Sequence, residues 1–589
     1  MRTWSILAVL LALLALLALL PRPAAAWTYG DTLTVIWKPL PNLPAILRPG
    51  DTLTVWAKTS AAASGFDATL RFGTLTWPLT RAGGGWQPTQ GWWVLGFTVP
   101  QDVPEEVFDL TLTCSTSPPD TVRHAVKVIP AFKSDFYFAQ VSDTHLPSHV
   151  FSSDAGFSVA DTTGLADFDA VIDDLDFIHP EFVLHTGDLV NEGELEEYLS
   201  MYEMGRAQAM LERLHDPVFL VSGNHDIGGW DATPPPPGTS RKDWWRYFGW
   251  PALANPPAGF PYHSQVYSFD YGLLHCIGME GYQNSGGYDD YLPAIYGSNS
   301  MTQEEMNWLA ADVAAVPSGH AKLAFYHYDF SNQFTNPAAL GLDGLVWGHL
   351  HSGAEGDRTA TPFSLMCPSV IDNRAFRILR VHDGVITPGP SHRAGGTTGT
   401  PTDSLSVTWA GANDGTRSAL TATIVNRYGE DWNYSHLVFH LVDHDSVYSV
   451  NRGIIQQIIR QGGKAAIYVD CPVGAGRTLT LTVQAIGPAG VPPPAPAVLG
   501  LAPPRPNPLR GGDLTLDFTL PAAGPARIGV YDLAGRRVAT PFEGRAEAGE
   551  NVVVWPGRTD SGAALAGGLY FVRLVTPLGE RRARLVVLR

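Results

Sequence analysis

Cysteine is scarce in this sequence. Four cysteines occur among 589 residues, and their spacings match no metal-binding motif, which excludes a cysteine-based metal site. Each lies in an apolar, strand-like stretch, so buried free thiols are the simpler expectation for Cys114, Cys276, Cys367 and Cys471. Export would permit disulfides, and a Cys276–Cys367 bridge within one predicted domain stays open.

Apolar runs long enough to cross a membrane are missing after residue 20. The one long run, from Ile6 to Leu20, follows Arg2 and ends at Pro21, and three alanines at 24–26 offer a cleavage site. A spanning helix needs ~20 apolar residues, so this run is short for a membrane anchor. The pattern therefore predicts a cleaved signal peptide over residues 1–26 and an exported protein.

Positive charge is also in short supply. Lys and Arg number 39 against 57 Asp and Glu, which gives a net charge of −18. We therefore expect no general or specific nucleic-acid binding, because phosphate neutralisation needs Lys and Arg. An anionic substrate is still compatible with this balance, because a bound metal can reverse the local field.

Changes in pattern along the chain indicate several domains. Hydrophobic residues make up 45% and charged residues 16%, which is typical of globular protein, and the length is too great for one core. Short alternating runs predict β-sandwiches before and after a middle region in which strands alternate with helices. Apolar periodicity predicts helices at 165–179 and 194–214, and a capping box at Thr302 opens another. The predicted segments are a signal peptide at 1–26, an immunoglobulin-like sandwich at 27–130, a layered α/β domain at 134–392, a β-sandwich at 398–490, a stiff Pro-rich linker at 491–506 and a small β domain at 507–589.

Polar side chains follow five apolar runs of the middle region, at the point where each predicted strand ends. In open layered sheets, sites form beyond the carboxyl ends of strands. Five such ends side by side would gather these groups in one cleft, and unrelated strand-end polar residues are a poor explanation for all five. The residues are Asp143 and His145, then Asp188, then Asn224, His225 and Asp226, then His327, then His349 and His351.

This ligand set points to metal chemistry. Asp, Asn and His supply oxygen and nitrogen without thiolate, which suits Fe, Mn, Zn or Co rather than a soft metal. The ligands are too many for one ion, so two metals are expected. A metal pair ~3.5–4 Å apart can clamp the attacking and leaving oxygens of an in-line displacement.

The order and spacing of these blocks resemble the calcineurin-like metallophosphoesterase family over about 134–392. That resemblance implies a four-layer sandwich of two mixed sheets flanked by helices, here with additional all-β Ig-like domains. It further implies that one metal is held by Asp143, His145 and His351, that the second is held by Asn224, His327 and His349, and that Asp188 bridges them. His225 would assist the leaving group and Asp226 would orient it.

Several positions leave alternatives open. No tyrosine follows Gly187-Asp188, where purple acid phosphatases have one, so a tyrosinate–iron site is not expected. His185 is either a partner of the ligands or a packing residue, with packing favoured. The segment 281–300 is either a lid or a surface loop, and Arg241 and Lys242 are more simply solvated than phosphate-binding.

The last 85 or so residues resemble the C-terminal sorting domain of type IX secretion cargo, which shares its sandwich with FlgD-type immunoglobulin-like modules. The motifs are RPNP (505–508), VYDLAGRRV (530–538), GGLYFVRL (567–574) and RLVVLR (584–589). The resemblance implies that type IX machinery is a partner, although a plain spacer sandwich is the alternative.

Together these patterns predict a secreted or cell-surface dinuclear-metal hydrolase of phosphomonoesters or phosphodiesters. A surface binding or adhesion protein with a relic phosphoesterase domain is the alternative. Monoester and diester substrates, metal identity and oligomeric state are left open by the sequence.

Overall fold

The computed structural model describes most of the chain from residue 32 onwards. Outside it lie the predicted signal peptide, the 281–300 segment, Arg241 and Lys242. Among the helices in the described residues, none is long and apolar enough to span a bilayer. The described residues are 32–146, 151–152, 156–157, 163–190, 197–227, 244, 246–248, 266–280, 301, 303–331, 337–395, 405–443, 446–488, 499–521, 523–547, 549–577 and 579–588.

Nine strands form two sheets in the N-terminal region, with the orders β1-β3-β7-β6 and β2-β9-β8-β4-β5. In β3, Leu53, Val55 and Ala57 are buried, because alternate side chains of a strand point to the same face. The strands are β1 (Ile36–Lys38), β2 (Ala45–Leu47), β3 (Thr52–Ala57), β4 (Asp67–Phe72), β5 (Leu75–Pro78), β6 (Thr80–Gln87), β7 (Trp92–Thr98), β8 (Glu106–Cys114) and β9 (Ser117–Val128).

In the middle region, strands alternate with helices, as the sequence predicted. The helices expected at 165–179, 194–214 and after Thr302 are confirmed as α1, α2 and α4. The elements are β10 (Asp135–Val141), β11 (Phe151–Ser152), β12 (Gly156–Phe157), α1 (Thr163–Ile178), β13 (Val183–His185), α2 (Glu197–Leu211), β14 (Val218–Leu220), α3 (Asn224–Ile227), β15 (Tyr267–Tyr271), β16 (Leu274–Gly278), α4 (Gln303–Ala315), β17 (Ala321–Phe325), α5 (Pro337–Leu340), β18 (Gly344–Trp347), β19 (Phe363–Met366), α6 (Val370–Asn373), β20 (Ala375–His382) and β21 (Val385–Arg393).

The two large sheets of the middle region are both mixed. One has the order β14-β13-β10-β20-β21 and the other β15-β16-β17-β18-β19, each with parallel and antiparallel pairs. Phe136 and Phe138 of the first sheet share a buried cluster with Leu323 and Phe325 of the second, so the sheets pack together. The mixed sheets are as expected, and the complete four-layer arrangement stays a prediction.

The next region is a second pair of sheets that shares its core with the middle region. Tyr428 and Trp432 lie in one buried cluster with Tyr137 and Ile178. The sheets have the orders β22-β23-β28-β25 and β24-β27-β26. Their strands are β22 (Leu405–Trp409), β23 (Ala419–Asn426), β24 (His436–Val442), β25 (Ser446–Val450), β26 (Ile454–Gln461), β27 (Lys464–Asp470) and β28 (Thr478–Pro488).

The C-terminal region is a small sandwich with its own core. Its sheets have the orders β29-β30-β33 and β32-β31-β34-β35. Ile454 from β26 is part of the same buried cluster, so this sandwich touches the region before it rather than being held apart by the Pro-rich segment. The strands are β29 (Gly500–Leu501), β30 (Leu514–Leu520), β31 (Gly524–Tyr531), β32 (Arg537–Ala546), β33 (Gly549–Trp555), β34 (Gly568–Thr576) and β35 (Gly579–Val587).

All four cysteines are free, and only Cys114 is not fully buried. The Cys276–Cys367 disulfide that the sequence left open is therefore absent. Cys367 instead places its Sγ 3.7 Å from the carbonyl oxygen of Gln140. Burial raises the pKa of the Cys367 thiol to about 12, so it stays protonated.

Candidate metal centre

The five strand ends meet at one edge of the two mixed sheets. Asp143 and His145 follow β10, Asp188 follows β13, and the α3 residues come after β14. His327 follows β17, and His349 and His351 follow β18. Apart from His225, His349 and His351, which are partly exposed, all of the predicted site residues are buried. The structure thus brings the whole predicted set together.

Five of these residues have a left-handed backbone conformation that side chains other than glycine rarely adopt. Such a residue costs on the order of 1–3 kcal/mol and persists only where its surroundings hold it. Strain of this kind clusters at functional sites, so its concentration here supports a functional role. The residues and their φ angles are Asp143 at 53°, His145 at 45°, Asp188 at 52°, His349 at 70° and His351 at 57°.

Asp143, His145 and His351 form a first group whose ligand atoms lie within 4.8 Å of one another. The Nε2 atoms of His145 and His351 are 3.0 Å apart. Oδ1 of Asp143 lies 3.9 Å from Nε2 of His145 and 3.6 Å from Nε2 of His351. These three side chains can hold one cation.

Asp188, His327 and His349 form a second group of the same size. Oδ2 of Asp188 is 2.9 Å from Nε2 of His327, and Nδ1 of His349 is 3.3 Å from that same nitrogen. The amide oxygen of Asn224 lies 3.0 Å from Nδ1 of His349, which adds a fourth ligand atom. These atoms can hold a second cation.

Asp188 stands between the two groups. Its Oδ2 also lies 3.7 Å from Nε2 of His145, a member of the first group. The groups are joined a second time, because the main-chain N–H of His349 donates to Oδ2 of Asp143 at 2.9 Å. One carboxylate is therefore within reach of both sites, as a bridging ligand must be.

In the second group, Asp188 and His327 shift each other's pKa values in opposite directions. Burial would lower the pKa of His327, but Asp188 and Asp143 outweigh burial and raise it to about 9. Burial likewise works against the charged form of Asp188, yet His327 and His225 keep its pKa well below the usual value. Oδ2 of the anionic Asp188 thus faces Nε2 of His327. A carboxylate oxygen and an imidazole nitrogen that face each other in this way are suited to binding a metal cation.

Two other imidazoles of the site, those of His145 and His349, are in the neutral form that binds metals. Burial holds the pKa of His145 well below its usual value. Burial and the neighbouring His327 lower the pKa of His349 to about 3. Neutral imidazole is the ligand form of histidine, so no proton need be removed from these two before a metal binds.

Hydrogen bonds to the outer ring nitrogens orient two of the histidines, His327 and His351. Nδ1 of His327 lies 2.8 Å from the carbonyl oxygen of Thr186, and Nδ1 of His351 lies 2.7 Å from Oδ2 of Asp372. A bond of this kind fixes the tautomer and turns Nε2 towards the centre. Thr186 and Asp372 were not recognised in the sequence, because their spacing from the ligands carries no signal. The contact of Asp372 with His351 is evident only from the structure, in which α6 lies beside the loop that follows β18.

Two glycines are required for the close approach of the loops. A Cβ at Gly348 would lie 1.8 Å from Oγ of Ser142 and 2.5 Å from Oδ2 of Asp143. A Cβ at Gly223 would lie 2.1 Å from Oδ1 of Asp188. The glycine before each ligand block thus leaves room for a carboxylate of the neighbouring strand end.

His225 lies at the partly exposed side of the centre. Its ring packs edge-on against the ring of His145, with centroids 4.7 Å apart, and its main-chain N–H donates to Oδ1 of Asp188 at 2.9 Å. His225 is thus fixed beside both metal groups while its ring stays partly open to solvent, and its ring also forms a third group of nearby ligand atoms with His145 and Asp188. This is the position expected of a side chain that meets a substrate.

Asp226 has partners other than the one predicted. Its carboxylate accepts main-chain N–H bonds from Gly223 at 2.7 Å and Val190 at 3.0 Å. Burial and the nearby Asp188 raise the pKa of Asp226 to about 8. These bonds join the β13 loop to the β14 loop, so the structure supports a brace between loops, whereas orientation of His225 by Asp226 stays a prediction.

His185 is buried beneath the centre. Its Nε2 is 3.1 Å from Oγ1 of Thr144, and its Nδ1 accepts the N–H of Gly187 at 3.2 Å. Burial lowers its pKa to about 3. His185 therefore supports two ligand loops from below, which combines the packing role that was favoured with contact to the residues beside the ligands.

Comparison with known families agrees with this geometry. The model of the calcineurin-like phosphoesterase family matches residues 136–353, and that of the FlgD Ig-like domain matches residues 509–578. The chain thus contains a calcineurin-like phosphoesterase domain and a FlgD Ig-like domain. The first resemblance is confirmed, whereas the second is confirmed only for the FlgD-type module, and its type IX sorting role stays a prediction. No curated protein matches the sequence.

Among solved structures, the chain is similar to purple acid phosphatase PPD1 of yellow lupin (Lupinus luteus), at 12% identity and a TM-score of 0.33, over 64% of this chain and 70% of that one. A dimetal phosphatase from Danio rerio has 13% identity and a TM-score of 0.30, over 44% and 96%. PorZ of Porphyromonas gingivalis, a surface component of the type IX secretion system, has 14% identity and a TM-score of 0.14, over 37% and 29%. Scores this low carry no argument about activity.

Proposed function

We propose that residues 134–392 are the catalytic domain of an exported phosphoesterase that uses two metal ions. The observation that carries this proposal is the pair of ligand groups, with Asp188 in reach of both. Asp143, His145 and His351 would hold one ion, Asn224, His327 and His349 would hold the other, and Asp188 would serve both. The donor set of carboxylate, amide and imidazole suits Fe, Mn, Zn or Co.

The metals, when bound, supply positive charge for a phosphate ester and lower the pKa of water. The other roles are assigned to side chains of the protein. Asp188, held below its usual pKa, stays anionic and so keeps a negative charge between the two sites. The imidazole of His225, beside His145 and partly open to solvent, gives a proton to the leaving oxygen or hydrogen-bonds to it.

The rival interpretation is a surface binding protein whose phosphoesterase domain is a relic. Both ligand groups, the glycines between them and the hydrogen bonds that aim His327 and His351 are all present. A relic would have no physical reason to keep five strained residues around one cleft, because each costs stability. Catalysis is therefore the stronger proposal.

The decisive experiment compares metal content with hydrolysis. The chain without residues 1–26 is loaded in turn with Fe, Mn, Zn and Co and assayed on nitrophenyl monoesters and diesters. We expect about two metal equivalents and hydrolysis of at least one ester class. Asp188→Asn should abolish activity, whereas Asp383→Asn, which changes a carboxylate on the surface, should not. A folded protein that takes up no metal under any loading condition would favour the binding-protein rival.

We further propose that the signal peptide exports the protein, and that the last ~85 residues direct it to the cell surface or beyond through type IX machinery. The FlgD Ig-like match and the sequence motifs of this region support the second step. In the native host, a chain ending at Gly490 should accumulate in the periplasm, while the full chain leaves the cell. Equal release of both chains would show that the C-terminal sandwich is only a spacer.

A further inference from the structure

Charge is distributed unevenly between the C-terminal sandwich and the rest of the chain. Residues 500–589 contain 12 arginines, no lysine and 8 acidic residues, a net charge of +4. Residues 1–499 contain 27 basic and 49 acidic residues, a net charge of −22. Basic charge is thus concentrated, entirely as arginine, in the module that the proposed catalytic site does not use.

Five of these twelve arginines lie on the outer face of the sheet β32-β31-β34-β35. Residues paired across neighbouring strands share a face, and the opposite face, with Ile528, Val572 and Leu585, is buried in the core. One cross-strand row of the outer face contains two aromatic side chains and two arginines. The next two rows contain three further arginines. We name these residues the arginine–aromatic face: Arg527, Tyr531, Arg537, Phe571, Arg573, Arg582 and Arg584.

The two rings are adjacent and one of them lies flat. Tyr531 pairs directly with Phe571, which pairs with Arg584. A Cβ at Gly529 would lie 2.8 Å from Cε2 of Tyr531, so the Tyr531 ring lies across the glycine. Gly529 thus lets the ring cover the sheet surface in the row that holds Arg573. The result is one aromatic ring that lies on the sheet surface, on a face that also carries arginines.

Ile454 of the preceding region lies in the sandwich core, on the opposite side of the sheet from the arginine–aromatic face. The sandwich meets the preceding region through Ile454 of β26, at the side of β32 and β33. Within the described residues, the ion pairs of the face stay inside the sheet: Arg573 and Arg582 with Glu580, and Arg527 with Glu543. The Arg582 side chain is 63% exposed, so its guanidinium can reach a partner.

We propose that the arginine–aromatic face binds a carboxylate-bearing polysaccharide and so holds the enzyme on a glycan-coated surface. The planar guanidinium fork matches a carboxylate in a bidentate manner, which explains the use of arginine rather than lysine. Aromatic rings present large apolar area at little entropic cost, and sugar rings have flat C–H faces that pack on them. An open sheet face, unlike a pocket, accepts a long polymer.

A nucleic acid fits this face less well. Dense phosphate charge needs many uncommitted cations, whereas Arg573 and Arg582 already share Glu580. A glycan that carries both carboxylates and neutral sugar faces matches a surface that presents aromatic side chains together with arginines. This inference does not depend on the proposed phosphoesterase activity.

The test measures binding of the chain without residues 1–26 to polygalacturonate, to neutral dextran and to single-stranded poly(dT). We expect binding to polygalacturonate that weakens with salt, and none to dextran. Because these substitutions remove two charged hydrogen-bond donors, Arg582→Gln with Arg584→Gln should weaken binding by about tenfold or more. Gly529→Ala should weaken it severalfold with every charge retained, because the added methyl displaces Tyr531.

The matched control removes two exposed arginines elsewhere, Arg452→Gln with Arg477→Gln, and should leave the affinity unchanged. Thermal melting confirms that each variant is folded. If the folded wild-type protein does not bind polygalacturonate, the proposal is overturned. An equal loss in the control pair shows non-specific charge attraction and also overturns it, as does tighter binding of poly(dT) at equal charge, which would make the face a nucleic-acid site.

Discussion

Asp372 accepts a hydrogen bond from the outer ring nitrogen of His351, with Oδ2 and Nδ1 2.7 Å apart. Oγ of Ser369 caps α6 by accepting the N–H of Asp372, and Asn373 donates to the main-chain oxygen of His351. A four-residue helix therefore holds one proposed ligand by both its side chain and its backbone. Asp372 belongs to none of the ligand groups, so it can affect metal binding only through His351.

Replacing Asp372 with alanine should weaken metal binding at the first site. Loss of a carboxylate partner behind a ligating histidine typically costs about 10–100-fold in metal affinity. The measurement is competition with a chelator, followed by elemental analysis. Asp372→Asn should have a smaller effect because its oxygen still accepts the bond, and Asp383→Asn should have none. An unchanged metal affinity in Asp372→Ala would show that the hydrogen bond to Asp372 is not needed to orient His351.

His225→Ala should impair turnover far more than metal content. The ring of His225 packs on His145 but is assigned to the leaving oxygen, and general acid groups contribute about 10²–10⁴-fold. The loss should shrink for nitrophenyl esters, whose leaving group needs no proton. Elemental analysis of the same preparation separates the two roles. Loss of both metals together with activity would make His225 structural.

Gly348→Ala should disrupt the centre although it adds one methyl group. The new Cβ would collide with Oγ of Ser142 and Oδ2 of Asp143, both held on the adjacent β10 loop. We expect loss of metal from the first site and of most activity. Gly85→Ala is the matched control, since its Cβ would meet no atom within 4 Å. Retention of both metals in Gly348→Ala would indicate that the loops can separate at little cost.

His275 should make stability depend on pH at alkaline values. It lies between Asp270 and Asp312, at 2.7 Å and 2.8 Å, and these carboxylates outweigh burial and raise its pKa to about 9. A folded-state pKa above the unfolded value of about 6.5 means full stabilisation below pH 6.5 and its loss as pH rises through 9. Because Asp270 is largely exposed and screened, we expect about 1–2 kcal/mol.

The measurement is the melting temperature of wild type and His275→Gln from pH 6 to pH 10. The difference between the two proteins should be largest at pH 6 and should vanish near pH 10. His382→Gln is the control, because its partner Asp135 is exposed and the pair should contribute little. A difference that grows towards high pH would contradict the assigned direction of the pKa shift.

The ligand residues could be read from the sequence because each follows an apolar run, and a strand end fixes where its next residues lie. Asp372 and Thr186 could not, since their partners His351 and His327 are brought near only by the packing of β13, β17 and α6. The same limit applied to the shared core. Tyr428 lies in a bend after β23, and nothing in the local sequence shows that its hydroxyl meets Asp174 of α1.

That shared core predicts different results for two truncations. The Tyr428 hydroxyl donates to Asp174, whose pKa burial raises to about 8, and lies 3.0 Å from the Arg393 carbonyl oxygen. Trp432 packs in the same cluster as the helix α1 residues beneath the metal centre. A chain ending at residue 397 would expose this apolar surface and should melt well below the intact protein, with loss of metal. By contrast, among the described residues of the preceding region, only Ile454 is part of the buried core of the C-terminal sandwich.

A chain ending at Gly490 should therefore keep its metal content, its specific activity and nearly its melting temperature. Tyr428→Phe tests the same junction without truncation. It removes one buried hydroxyl and leaves Asp174 without that donor, so it should destabilise the protein by about 1–3 kcal/mol. Tyr448→Phe, at a hydroxyl bonded within its own sandwich, is the control for loss of a hydroxyl. If the chain ending at residue 397 is as stable and active as the chain ending at Gly490, the 398–490 sandwich is a separate domain and the shared core contributes little.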